Sequence, residues 1–125
     1  MKAIGPALIG PSGAPLPLSP AVQAGGLVFV SGQLALDGGR IVEGGVEAQT
    51  ARVLDLIVAV LAEAGLGLAD VARCGVWLTD AADFPAFNRV YAQRFAAPYP
   101  ARATVVCTLA VPGARVEIDA IAVRR

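Results

Sequence analysis

The side chains of this chain best equipped for chemistry are Arg102, Glu117 and Asp119, with Ser31, Gln33 and Asn88 as further polar residues set in apolar surroundings. Arg102 stands at the start of an apolar, β-branched run, and Glu117 and Asp119 sit inside a second one, residues 116–123. Strand side chains alternate with period two, so Arg115, Glu117, Asp119, Ile121 and Val123 share one face, and Val116, Ile118, Ala120 and Ala122 share the other. An unpaired carboxylate buried there would cost roughly several kcal/mol, so Glu117 needs either solvent or a polar site. An arginine offers a planar fork for a carboxylate, and a nearby acid can position water or shuttle a proton. The sequence contains no histidine. That excludes a Ser-His-Asp triad, a histidine base and His-ligated zinc. The chemistry left is protonation and hydration of an already reactive carbon–nitrogen double bond, rather than cleavage of a peptide or phosphodiester.

Each polar residue also has a plain structural reading. Arg102 could form a surface ion pair worth about 0–1 kcal/mol, Asn88 a helix-face or cap hydrogen bond, and Ser31, before Gly32, a turn. Glu117 is the hardest to place this way, because a strand buried on both faces offers it no solvent.

Several elements must position these groups. Residues 1–20 hold Pro6, Pro11, Pro15, Pro17 and Pro20, and read as an extended arm or sheet edge. Leu27–Ser31 is strand-like, Asp37-Gly38-Gly39 a turn, and Arg40–Val42 a short strand. Residues 46–64 carry Val46, Thr50, Val53, Leu54, Ile57, Leu61 and Ala64 at helical spacing, with Gly65 as a stop and Glu47, Gln49, Arg52, Asp55 and Glu63 opposite. Val71–Thr79 alternates as a strand. Asp83 and Pro85 open a second helix that docks through Phe84, Phe87, Tyr91 and Phe95. The two C-terminal runs, flanking Pro112-Gly113, are expected to pair as an antiparallel hairpin, with Ala110 facing Arg115 and Thr108 facing Glu117. That register puts Arg102 roughly 20 Å from Glu117, so a site using both would have to join two subunits.

At 125 residues the chain forms a single domain, 1–125, built as an α+β layer with helices on one sheet face. An apolar fraction of 56% against 16% charged favours subunits that cover one another's sheet faces. Ten basic and ten acidic residues leave no net charge to attract nucleic acid or an anionic membrane. Cys74 and Cys107 show no CxxC spacing and read as buried small hydrophobes in a reducing compartment. Neither a signal-peptide core nor a bilayer-length apolar run stands out, so a cytoplasmic location is the expectation.

Four stretches together resemble the RidA/YjgF family of imine/enamine deaminases: Val30-Ser31-Gly32-Gln33; Gly44-Gly45-Val46-Glu47-Ala48-Gln49-Thr50; Asp83-Phe84 with Asn88, Tyr91 and Phe95; and Pro100-Ala101-Arg102 with Val116-Glu117-Ile118-Asp119-Ala120-Ile121-Ala122. The resemblance runs from about Pro17 to Arg125. It implies a chorismate-mutase-like α+β subunit, a mixed sheet with two helices on one face, assembled as a homotrimer with clefts between subunits. It further implies cofactor-free and metal-free hydrolysis of 2-aminoacrylate and 2-imino acids to 2-keto acids and ammonia, as in a 2-iminobutanoate/2-iminopropanoate deaminase. Arg102 would grip the substrate carboxylate, and Glu117 would position water and relay protons. Ser31, Gly32 and Asn88 would shape the cleft, and the Thr104 amide would contact the carboxylate. Where many members carry a tyrosine at the end of the arm, this chain has Leu18, which makes the cleft greasier and a bulkier imino acid a candidate.

Two other classes stand beside this reading. One is a non-catalytic, small-carboxylate-binding regulatory trimer, and the other an endoribonuclease. The balanced charge and the lack of a basic-aromatic stripe argue against the latter.

Overall fold

The computed structural model describes residues 1–125. Its strands are β1 (Lys2–Ile4), β2 (Ala21–Ala24), β3 (Leu27–Leu34), β4 (Leu36–Asp37), β5 (Arg40–Ile41), β6 (Val71–Leu78), β7 (Ala101–Val106) and β8 (Val116–Val123). Its helices are α1 (Gly45–Glu63) and α2 (Phe84–Arg94). Six strands form one mixed sheet in the order β1-β2-β3-β8-β6-β7, while β4 and β5 make a separate two-stranded ribbon.

Both helices lie on one face of this sheet. Val53, Leu54, Ile57 and Leu61 turn inward from α1, and Phe87 and Tyr91 from α2. They meet Val28 and Val30 of β3, Cys74, Val76 and Leu78 of β6, and Val116, Ile118, Ala120 and Ala122 of β8, all buried. Burying a large aliphatic or aromatic side chain stabilises by about 1.5–3 kcal/mol, so this single stripe supplies most of the driving force. Gly44, at φ 110°, and Gly45, at φ 74°, turn the chain into α1 through the left-handed region that side chains avoid. Pro85 occupies the first turn of α2, where its missing N–H costs nothing.

The C-terminal hairpin does not form. β7 pairs in parallel with β6, Cys74 opposite Arg102 and Val76 opposite Thr104. β8 instead inserts between β3 and β6, antiparallel to both. The physical reason lies in α2: a helix linking two strands of one sheet carries the chain back to the starting end, so β6-α2-β7 closes as a parallel crossover. Pro112-Gly113 does turn the chain, with Gly113 at φ 86°, but the turn crosses β6 rather than joining neighbours. Glu117 therefore faces Trp77 on one side and Leu34 on the other, not Thr108.

Two smaller expectations also fail. Gln49 is buried on α1, its amide donating to the Gly113 carbonyl (3.1 Å) and its carbonyl accepting from the Arg115 amide (2.8 Å). It ties the helix to the entry of β8, a polar task that hydrophobic periodicity cannot reveal. Cys74 is buried as expected, but Cys107, just beyond β7, is exposed.

The second face of the sheet has no cover within the subunit. Phe29 and Val105 remain 38% and 47% exposed there, beside the half-buried Trp77 and Ile121. β7 is also an edge strand, with Val106 53% exposed. Native edges of this kind are normally covered or blunted.

Candidate active site

The structure sorts the candidate residues into two groups on opposite faces of the sheet. Arg102 lies on the helix side, since its partner across the ladder, Cys74, is a core residue. Its guanidinium donates to the Asn88 side-chain oxygen of α2 at 2.8 Å. Three rings of the same helix surround it: Phe84, Phe87 and Tyr91, with centroids 5.7, 5.2 and 4.8 Å away. A cation over aromatic faces gains about 0.5–2 kcal/mol, more as water is excluded. Arg102 thus has a platform and an orienting hydrogen bond but no carboxylate partner, whereas Arg89, Arg94, Arg115 and Arg125 are each paired with an acid. Thr104, two residues on, lies on the same side of β7. Asn88, Tyr91, Ala92, Tyr99, Pro100 and Arg102 line a depression of about 280 Å³.

This aromatic platform was legible only in part. Phe84, Phe87, Tyr91 and Phe95 read as a docking face, and the last three are indeed buried. That their rings also carry the arginine follows from the parallel β6-β7 pairing, which periodicity cannot supply. The Tyr91 hydroxyl is buried beside the Cys74 thiol without a hydrogen bond of ordinary geometry. Burial pushes the Tyr91 phenol well above its ordinary value and also raises the Cys74 thiol, so both stay neutral and leave the guanidinium the only charge in the niche.

Glu117 projects from the bare face. β3 bulges where it passes β8: Val30 pairs with Ala120 and Gln33 with Ile118, leaving Ser31-Gly32 to span a single residue. The bulge brings Gly32 against Glu117, whose Oε2 lies 2.4 Å from where a Gly32 Cβ would stand. A side chain at position 32 would push that carboxylate out of this seat. Ser31 is turned the other way, its hydroxyl donating to the Ser19 carbonyl at 2.6 Å and its amide to the Pro20 carbonyl at 2.9 Å, so it fastens the N-terminal arm. Burial, then the neighbouring Asp119 charge, push the Glu117 carboxyl above the usual carboxylate range.

Beside Gly32 opens a cavity of about 600 Å³ between the arm, α1 and the end of β3. Leu16, Leu18, Leu34, Leu56, Val60 and Val111 supply much of its apolar wall. Leu18 and Gly32 therefore line one cavity, and Arg102 lines a different one. One subunit holds the arginine and the acid separately: Arg102 is level with Ala120, across β6 and three residues from Glu117 along β8, on the opposite face.

These features define a small α+β subunit with two incomplete polar half-sites, an unpaired arginine over an aromatic platform and a strand carboxylate seated on a glycine bulge. The chain belongs to the RidA/YjgF family: a family model described as endoribonuclease L-PSP matches residues 12–124. It is similar to Protein DfrA of Myxococcus xanthus, 48% identical over 86% of this chain and 85% of that protein. It is also similar to the 3-aminoacrylate deaminase RutC of Acinetobacter baylyi, 42% identical over 92% of this chain and 95% of that one. Among solved structures, RidA from an Antarctic Psychrobacter superposes with a TM-score of 0.86, at 36% identity over 98% of this chain and 99% of that one. The mixed sheet and two helices are those of that family. No helix is long and apolar enough to cross a membrane.

Proposed function

We propose that the chain is a homotrimeric, cofactor-free deaminase that hydrolyses 2-imino acids and their enamine tautomers to 2-keto acids and ammonia in clefts between subunits. The observation that carries this reading is the placement of Arg102 and Glu117 on opposite faces of one sheet. Neither half-site is complete, and a second copy docked on the bare face would bring the acid of one subunit to the arginine of the next. The family membership and the similarity to a 3-aminoacrylate deaminase support the reaction type.

In this scheme the substrate carboxylate takes two hydrogen bonds from Arg102, with Asn88 holding the fork in plane and the Thr104 amide beside it. For an enamine, the protonated Glu117 carboxyl gives its proton to the terminal carbon; the C=C pair becomes the new C–H bond and the nitrogen lone pair closes the C=N bond of the iminium. Water then adds to the carbon bearing nitrogen, while the Glu117 carboxylate takes a proton from that water. Glu117 returns that proton to nitrogen and, as the C–N bond breaks, takes the hydroxyl proton of the intermediate, which releases ammonia and the 2-keto acid and leaves the carboxyl protonated again. Each turnover consumes one water and leaves the protein unchanged. The 600 Å³ apolar cavity beside Gly32 would take the substrate side chain, which favours imino acids larger than the alanine-derived one. The endoribonuclease description of the family model finds no support in a net charge of zero, since phosphate recognition rests on excess Lys and Arg.

The test is competition for imines made in situ by an amino-acid oxidase and trapped with semicarbazide. Wild type is expected to outrun the trap, and Arg102→Ala to lose about 2–3 kcal/mol of transition-state stabilisation, roughly 30- to 150-fold in kcat/KM. Wild type and Arg102→Ala competing equally poorly would end the proposal.

A further inference from the structure

We propose that Asp119 is a positioning residue for Glu117, a carboxylate fixed to the Gly75 backbone whose charge keeps its neighbour in service as the proton carrier. The two side chains share one face of β8, two residues apart. Opposite Asp119 on β6 stands Gly75, and the Gly75 amide donates to Asp119 Oδ1 at 2.8 Å. A Cβ on Gly75 would lie 2.5 Å from that oxygen and 3.2 Å from the edge of the Trp77 ring. The missing side chain is therefore the seat of the carboxylate, as Gly32 is the seat of Glu117 on the other flank of β8. Trp77, paired with Glu117 across the ladder, walls the two acids with an apolar ring and limits their hydration.

The Gly75 N–H fixes the Asp119 carboxylate in place on the face it shares with Glu117. A second carboxylate a few ångströms along the same low-dielectric wall then takes up a proton more readily. The direction found for Glu117 agrees: burial first, Asp119 second, both upward. Within one subunit no other charge on the neighbouring elements offsets this, and the Arg102 that the proposed trimer would bring across from the next copy is common to wild type and every Asp119 variant. β3 contributes only Ser31, Gly32, Gln33 and Leu34 beside Glu117. On β6 the charged residue of that face is Arg73, paired with Ile121 beyond Asp119. Arg115, before β8, is held by both oxygens of Asp83 at 3.0 and 2.8 Å.

What the proton is used for rests on the deaminase reading, but the coupling of the two acids does not. Protein labelled with [¹³C-carboxyl]glutamate gives four side-chain signals, for Glu43, Glu47, Glu63 and Glu117, and Glu117→Gln assigns the last. In Asp119→Asn, whose side-chain carbonyl can still accept from Gly75, the Glu117 midpoint is expected to fall to lower pH. Asp119→Glu, which keeps the charge, is expected to leave it high. Should the asparagine variant fail to fold, Asp119→Thr, suited to a strand, carries the same expected direction. The limb of the kcat/KM pH profile that reports Glu117 should move with the carboxyl signal. A Glu117 midpoint unmoved by loss of the Asp119 charge overturns the inference. Absence of imine hydrolysis by wild type would instead overturn the deaminase reading, while the titration still decides the role of Asp119.

Discussion

The two faces of the central sheet are finished to different degrees. On the helix side every large apolar residue of β6 and β8 is buried, and the guanidinium of Arg102 is oriented by one amide and three rings before any ligand arrives. On the other side Phe29 and Val105 stay more than a third exposed, and the two acids of β8 rest on glycines rather than on charged partners. The contrast separates tasks. In the proposed reading the covered face folds the subunit and holds the arginine that grips the anion, and the bare face receives a second copy. A subunit that closed both faces on itself would have no way to bring Glu117 to an Arg102.

The sharpest way to break this contrast is a matched pair of truncations. Phe87 is fully buried and carries Arg102, so Phe87→Ala is expected to cost about 3–5 kcal/mol of stability. It should show as a large fall in Tm or in the denaturant midpoint. Phe29→Asp, on the bare face, is expected to leave the subunit folded by circular dichroism yet shift its sedimentation from trimer to monomer, because a charge in an apolar interface core has no partner. If Phe29→Asp unfolds the subunit while assembly of wild type is monomeric, the division of labour between the faces is wrong.

The cavity beside Gly32 sharpens the comparison at the level of substrate. Leu18→Tyr narrows an apolar wall and adds a hydroxyl, and discrimination by pocket shape is worth roughly 1–3 kcal/mol. The ratio of kcat/KM for leucine-derived over alanine-derived imine is expected to fall by about tenfold or more. An unchanged ratio would mean that the side chain of the substrate lies elsewhere.

How much of this could be read from the sequence depends on what kind of information each feature needs. α1 and the start of α2 were legible to within a residue or two because a helix buries a stripe that its own spacing writes down, whereas α2 ends at Arg94, short of the prolines read as its stop. The faces of β6 and β8 were legible for the same reason. Which strand pairs with which is not a local property. The apolar runs around Pro112-Gly113 look like a hairpin, and only the crossover through α2 sends β7 to the far edge. Arg102 and Glu117 stood out as charges in apolar company, but the roughly 20 Å reckoned along a hairpin was the wrong obstacle. They are kept apart by lying on opposite faces. Gly75 was silent in the sequence and Gly32 stood out only through the family resemblance, since a glycine that seats a carboxylate looks like any other glycine in a strand.

The smallest effect tests the bare face most directly. Because Glu117 holds its proton more tightly in the folded protein than an ordinary carboxylate does, its ionisation works against folding. At acidic pH, where both states are protonated, it contributes nothing. As pH rises through the ordinary carboxylate range the unfolded chain ionises first, and stability drains until the folded midpoint has been passed. Glu117→Gln removes that drain, so its Tm is expected to exceed wild type at neutral pH and to converge with it in acid. The gain is small, since Glu117 is only half buried and water screens it. The same variant should lose turnover, which would make the carboxylate a group retained for chemistry at the expense of the fold. A variant destabilised equally at every pH would instead make Glu117 a packing residue, and the bare face an interface and nothing more.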